Sequence, residues 1–141
     1  MPGAEWMVKI YVDTNVYLDY LLDRKNLLGR PLGNDAFLVF ARVVDGRFQL
    51  VRSRFVEEEL YRQIGTEETQ MLFGMMETNT VTVTYSNEEK IRAKEMNPAH
   101  WQDALHAIIA NREKAEYLVT QNVSDYWQYS SLVTPVRPRE I

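Results

Sequence analysis

The chain reads as an α/β protein built on a parallel sheet of four to five strands, and three observations predict this. Short apolar, β-branched runs alternate with stretches whose apolar residues recur at helical spacing, as expected of strands joined by crossover helices. One of these helical stretches is apolar nearly all round, which marks a central buried helix. With 141 residues, 45% of them hydrophobic, the chain is long enough for one domain (residues 1–141) with a sizeable core and too short for two.

The elements follow in order. Val8 to Val12 is the first strand, and Val16, Tyr17, Tyr20 and Leu21 place a helix after it. Asn26 to Asn34 holds two glycines and a proline and reads as a loop. A helix is predicted over 35–44, with Phe37, Val39, Phe40 and Val43 apolar, stopped by Asp45-Gly46. Phe48 to Val51 is the second strand. Ser53 is an N-cap for a helix over 54–64, whose Val56, Leu60 and Ile64 form the inward stripe and which Gly65 ends. Thr66 caps the next helix, over 67–76, with Glu67 and Glu68 in its first turn. Met71, Met75 and Met76 form its inner face or an oligomer contact. Thr80 to Tyr85 alternates threonine and valine as a strand does, and Ser86 caps a helix over 87–96. Asn97-Pro98 has the form of an N-cap followed by a first-turn proline. It opens the buried helix holding Trp101, Asp103 and the run Ala104 to Ala110. Tyr117 to Val119 and Leu132 to Val136 are the last strands, with a loop and short helix between them.

Composition narrows the function classes. No apolar run approaches the ~20 residues of a membrane span, and the first six residues lack the form of a signal peptide. The absence of cysteine excludes disulfides and thiolate metal sites and points to the cytoplasm. A net charge of −4 argues against a surface that grips nucleic acid everywhere. It leaves room for a local basic rim, and Arg42, Arg47, Arg52, Arg54 and Arg62 are clustered in sequence, though each also reads as an ordinary solvated cation.

Four acids stand where strands give way to polar or helical sequence: Asp13, Glu59, Asp103 and Asp125. In open parallel sheets, ligands bind beyond the carboxyl ends of the strands, and Asp13 and Asp125 follow the first and fourth strands. Glu59 lies beside the inward stripe of its helix, whereas Glu57 and Glu58 project about 200° and 100° away. Asp103 sits on the most apolar helix, where a carboxylate is either neutral or has a cation. Converging carboxylates raise one another's pKa, and a hard divalent cation, Mg²⁺ or Mn²⁺, relieves the repulsion. Such a site suits phosphodiester hydrolysis. Each acid also has a plainer role: Asp13 or Asp125 as a helix cap, Asp103 as a dipole complement, Glu59 as a solvated surface acid. His106 reads as a packed or surface residue able to pair with Asp103, since hard cations prefer oxygen. Trp101, Tyr126, Trp127 and Tyr129 read either as core or as stacking platforms for bases.

These residues carry a resemblance. The run Val12 to Asp19 resembles the opening motif of PIN domains, the stretch Ser53 to Leu60 the second acidic motif, Asp103 to Ala110 the third and Leu118 to Tyr126 the fourth. Pro138 to Ile141 is similar to the family's tail. The resemblance covers nearly the whole chain in order. It implies a three-layer α/β/α fold and a Mg²⁺- or Mn²⁺-dependent nuclease acting on RNA, with Asp13, Glu59, Asp103 and Asp125 as the acidic positions. Thr14 and Thr120 fall where the family often places a hydroxyl near the metal, and Asn15 would order the Asp13 turn. Asn122 stands where many members have a further aspartate, so the chain departs from the pattern there. A single-domain PIN protein of this size is similar to the VapC toxins, which implies an endoribonuclease acting as a homodimer and silenced by a small antitoxin. A housekeeping RNA-processing nuclease, or a non-catalytic module that binds RNA or protein, is the alternative. A phosphatase of the haloacid-dehalogenase type would need an aspartate where Asn15 stands. A receiver domain would need a lysine at the end of a late strand, where Thr120 and Pro135 stand.

Overall fold

A computed structural model describes residues 7–25 and 28–141. Five strands, β1 (Val8–Val12), β2 (Phe48–Ser53), β3 (Thr80–Val83), β4 (Tyr117–Val119) and β5 (Thr134–Val136), form one sheet in the order β3-β2-β1-β4-β5. Every pairing is parallel. The helices are α1 (Thr14–Leu21), α2 (Leu32–Val44), α3 (Arg54–Ile64), α4 (Thr66–Met76), α5 (Asn87–Met96), α6 (Trp101–Arg112) and α7 (Val123–Tyr126). The result is the three-layer α/β/α sandwich, with α1, α2 and α4 in one packing group and α5 against α6 in the other. The first six residues, and Asn26 and Leu27 of the predicted loop, lie outside the described residues.

Strand order fixes where a ligand can sit. From β1 the chain winds outward to β2 and β3, then crosses back to place β4 on the other flank of β1. The connections after β1 and β4 therefore leave in opposite directions, and a crevice opens between them at the carboxyl edge. The two strand ends are locked together there: Asp13 N–H donates to the Val119 carbonyl at 2.9 Å, and Thr120 N–H to the Val136 carbonyl at 2.8 Å.

The core explains the element boundaries. Ile10, Tyr11, Val12, Leu50, Leu118 and Val119 are buried strand residues, and α6 buries every residue from Ala104 to Ala110, as its all-round apolarity predicts. Ser53 accepts from Val56 N–H at 3.1 Å and caps α3, and Ser86 with Glu89 closes a capping box on α5. Gly65 ends α3 and, at φ +91°, turns the chain directly into α4. That conformation is open to glycine and strained for other residues.

Several boundaries differ from the sequence reading. Helix α2 starts at Leu32, three residues early, because Gly33 is not a breaker: a Cβ there would come within 2.9 Å of the Asp19 carbonyl oxygen. The glycine lets α2 cross closely over the end of α1. Thr66 is the first residue of α4 and not its cap, since Gly65 already makes the turn. Helix α6 begins at Trp101 rather than at Pro98, because Asn97 spends its side chain elsewhere. Its Oδ1 accepts from His100 N–H at 3.1 Å and its Nδ2 donates to the Tyr129 hydroxyl at 2.9 Å. The edge strands β3 and β5 are shorter than predicted, and Pro135 sits in β5, where an edge tolerates a missing donor. Of the methionines on α4 only Met76 faces inward; Met71 and Met75 are exposed. No helix among the described residues is long and apolar enough to cross a membrane.

Leu118, fully buried in β4 between β1 and β5, gives a direct test of this core. Leu118→Ala is expected to cost about 2–5 kcal/mol, measured by urea denaturation.

Candidate functional site

The period-two alternation of a strand puts Tyr11 and Asp13 on one face. That face looks at α6, where His106 meets Tyr11 and acts on Asp13 through its charge. Its Nδ1 lies 2.6 Å from the Tyr11 hydroxyl, and its Nε2 lies 2.9 Å from Glu59 Oε1 on α3. The Tyr11 hydroxyl is in turn 2.8 Å from Ser53 Oγ. Glu59 Oε1 also accepts from the Thr14 hydroxyl. A buried polar chain, Ser53–Tyr11–His106–Glu59–Thr14, thus ties β1, β2, α1, α3 and α6 together beneath the carboxyl edge.

Asp13 is almost fully buried, at 4% exposure. It occupies the position before α1, yet its carboxyl makes no capping bond. The helix-cap role is therefore not the one its side chain takes; Oδ2 accepts from the Thr120 hydroxyl at 3.1 Å. Thr120 Oγ1 also accepts from Asn122 N–H at 3.0 Å, which fixes the turn after β4 against Asp13. Asp103 lies in the first turn of α6 and accepts from the Tyr126 hydroxyl at 3.2 Å.

The charges confirm that these groups sense one another. Burial pushes Asp13 above the ordinary carboxylate range, and repulsion from Asp103 and Glu59 adds to it against the pull of His106 and Thr120. Burial likewise raises Asp103, helped by Asp125 and opposed by His106 and Tyr126. Burial would raise Glu59 too, but its bond and attraction to His106, with Thr14 and Arg62, hold it low. Burial would lower His106, but Glu59, Asp13 and Asp103 outweigh it and raise the imidazole. The charged form of His106 is thus favoured, with Nε2 facing Glu59, Nδ1 facing the Tyr11 hydroxyl, and that hydroxyl sharing a hydrogen bond with Ser53.

The structure brings Asp13, Glu59 and Asp103 together around His106, with Asp125 exposed at the rim and close enough for its charge to reach Asp103. Asn15 is exposed, and in place of ordering the Asp13 turn its side chain accepts from Arg24 at 3.4 Å. The three neighbouring glutamates part as helix phase requires: Glu57 to Arg52 at 2.6 Å, Glu58 to Tyr85 at 2.5 Å, Glu59 to His106. The clustered arginines do not form one rim. Arg42 and Arg47 precede β2 and lie at the opposite edge of the sheet, and Arg52 packs over the Phe73 ring at 4.1 Å. Arg54 and Arg62 on α3 both act on Tyr85, and Arg62 also acts on Glu59.

His106 was the residue hardest to place from sequence. It is packed, at 2% exposure, but its partner is Glu59 from a distant element and not Asp103 one turn away. Tyr11 gave no signal beyond apolar patterning, and Tyr126, read as core or as a stacking platform, is buried. Asp19, also buried, keeps Oδ2 without a hydrogen-bond partner, and burial pushes its carboxyl to about 6 despite Arg24, with Asp13 adding repulsion.

Among the described residues no three His, Asp or Glu side chains stand close enough to grip an ion unaided. Magnesium does not require such a cage, since it keeps several waters and takes as few as one or two protein carboxylates. Asp13 and Asp103 fit that donor set: hard oxygens on facing elements, each with its charged form disfavoured until a cation arrives.

Two measurements test these electrostatics. The native pKa of Asp13 lies above its unfolded value of about 4, so the folded state holds the extra proton and stability is lost as pH rises through that interval. In EDTA, Asp13→Asn should melt higher than the wild type, with the gap widening from pH 4 towards 7; a lower melting temperature would refute the repulsion. His106 has the same sense in a higher window: its raised pKa gives stability that is full below about 6.5 and lost as pH climbs through the native value. His106→Phe should cost about 1–3 kcal/mol at pH 6 by removing the ring that pairs with the part-buried Glu59, and less in alkali. Neither a protein-family model nor a curated protein matches the chain, and the meaning of the site rests on its residues and their geometry.

Proposed function

We propose that this protein is a Mg²⁺- or Mn²⁺-dependent endoribonuclease that hydrolyses phosphodiester bonds in RNA. The observation that carries the reading is Asp13: a carboxylate buried at the switch point of a parallel sheet, uncommitted to its helix, with Asp103 and Glu59 near enough to disfavour its charge. Such an arrangement is costly for folding unless a cation and an anionic ligand use it.

Asp13 and Asp103 would hold the cation, with Asp125 reaching it through water. Bound there, a divalent cation lowers the pKa of a water to make a nucleophile and neutralises charge on the phosphate. Glu59, whose carboxyl His106 and Thr14 hold low, would orient the attacking water and accept its proton. Thr120 and Tyr126 fix the carboxylates of Asp13 and Asp103 by donating to them. Arg62, whose charge reaches Glu59, and Arg54, which with it acts on Tyr85, suit the flanking phosphates.

The narrower form of the reading is the toxin of a toxin–antitoxin pair of the VapBC type, cytoplasmic, homodimeric and restrained by a small antitoxin. It rests on the sequence motifs, on the cysteine-free composition, and on the exposed apolar side chains Phe37, Met71 and Met75 as a face for a protein partner.

The test is cleavage of RNA with Mg²⁺ or Mn²⁺. Activity should vanish in EDTA, and Asp13→Asn and Asp103→Asn should each lose at least about 100-fold, the scale of removing one charge-stabilising group. Undiminished cleavage by Asp13→Asn, or none on any RNA with either metal, would sink the reading. A short neighbouring frame encoding a DNA-binding antitoxin would separate toxin from housekeeping enzyme.

A further inference from the structure

Beside the acidic centre, α3, the β3–α5 connection and the start of α6 enclose a groove of about 420 Å³. That lies within the 300–1,000 Å³ typical of ligand sites. Its floor is aromatic. Phe55 packs 5.7 Å from Trp101 and 5.4 Å from Tyr85, ring centre to ring centre, and Trp101 is only partly covered. Its walls are cationic. Arg62 and Lys90 line it, and Arg54 and Arg62 both act on Tyr85. Lys90 and Lys94 hold their ammonium groups 5.4 and 5.0 Å from the centre of the Trp101 ring. The carboxylate in the lining, Glu58, is already taken by the Tyr85 hydroxyl at 2.5 Å. In a chain of net charge −4, a positive aromatic groove is a local departure that folding does not require.

The groove is joined to the centre. Phe55, its floor, lies 4.8 Å from the His106 ring, and His106 holds Glu59. Glu58 and Glu59 are consecutive on α3, and Trp101 lies two residues before Asp103 on α6. The groove and the acidic centre thus share α3 and α6, with Phe55 packed between Trp101 and His106.

We propose that the groove is a stacking subsite for an unpaired base of single-stranded RNA, adjoining the bond that is cut. The proposal rests on the nuclease reading for the identity of the strand, while its geometry is independent. Aromatic faces take any base. A base arriving on Trp101 displaces a lysine ammonium whose exposed contact with the ring is worth only about 2- to 5-fold in affinity. A stacked base is worth roughly 5- to 150-fold, and the displaced lysine is then free to meet the flanking phosphate. The exchange favours RNA. An acidic peptide would use the cations and leave the aromatic faces idle, and a duplex would keep its bases stacked inside itself.

The experiment uses the whole protein in EDTA, where no cleavage occurs, and a single-stranded RNA oligonucleotide carrying 2-aminopurine. Binding should quench the probe. Trp101→Leu should weaken binding about 10-fold or more while Trp101→Phe retains most of it, and the double variant Lys90→Glu, Lys94→Glu should weaken it and flatten its dependence on salt. Melting curves establish which variants are folded; the lysine pair is on the surface and keeps the test open if Trp101→Leu does not fold. Unchanged affinity in the folded tryptophan or lysine variants overturns the proposal, as does equal binding of duplex RNA or of a polyglutamate peptide. Binding without any cleavage when metal is restored would leave the groove standing and remove the nuclease; cleavage with unchanged binding by Trp101→Leu would do the reverse.

Discussion

A carboxylate buried at the edge of a parallel sheet has few ways to remain charged, and the surroundings of Asp13 follow from that. Bulk water does not reach it, so hydrogen bonds and opposite charges must replace hydration. Thr120 supplies one bond, and the attraction of His106 opposes the rise that burial imposes. His106, however, is bonded to Glu59 and is shared electrostatically with Asp103. One imidazole serves three carboxylates, and the result is uneven: Glu59 is held low while Asp13 and Asp103 are driven up. The negative excess is located at the strand ends where the sheet reverses its order, the edge at which open parallel sheets take their ligands.

The chain of hydrogen bonds beneath this edge serves position more than stability. Each bond contributes roughly 0.5–1.5 kcal/mol net, modest beside the burial of Ile10, Leu118 or the apolar run of α6. Leaving any member unpaired costs more than the bond itself contributes. Tyr11 is therefore restricted to one rotamer between His106 and Ser53, and Ser53 is restricted again because it caps α3. The start of α3, and with it the register of Glu59, is set by the same side chain that closes the chain of bonds.

How far sequence could reach depends on the range of the interactions. Strand β1, helices α1, α3 and α5, and the buried nature of α6 were legible because their signals are local: alternation, helical period, and caps such as Ser53 and Ser86 that bond three residues away. The early start of α2 was hidden because Gly33 answers to the Asp19 carbonyl of another helix, and glycine looks the same whether it breaks a helix or admits a close crossing. Asn97 misled for a related reason: its side chain tethers Tyr129, 32 residues on. At the site, the positions of Asp13 and Asp103 at strand and helix ends could be read, and the phase of Glu59 could be chosen from its trio. The partnership of His106 with Glu59, 47 residues apart, and of Tyr11 with His106, 95 residues apart, could not. No local pattern encodes which of two acids a buried histidine will choose.

Helix phase also explains how two different surfaces grow from the same two helices. Successive residues on α3 diverge by about 100°, so Glu58 and Glu59 cannot serve one place: the first reaches Tyr85 and the groove, the second His106 and the acidic centre. On α6, Trp101 and Asp103 diverge by about 200° and divide in the same way. Phe55 lies between them, one side on Trp101 and Tyr85 and another on His106. A shift of α3 against α6 would therefore move Glu59 and the aromatic floor together. The spacing between the acidic centre and the groove is set by core packing, which deforms little, so any strand that occupied both would meet them at one fixed separation.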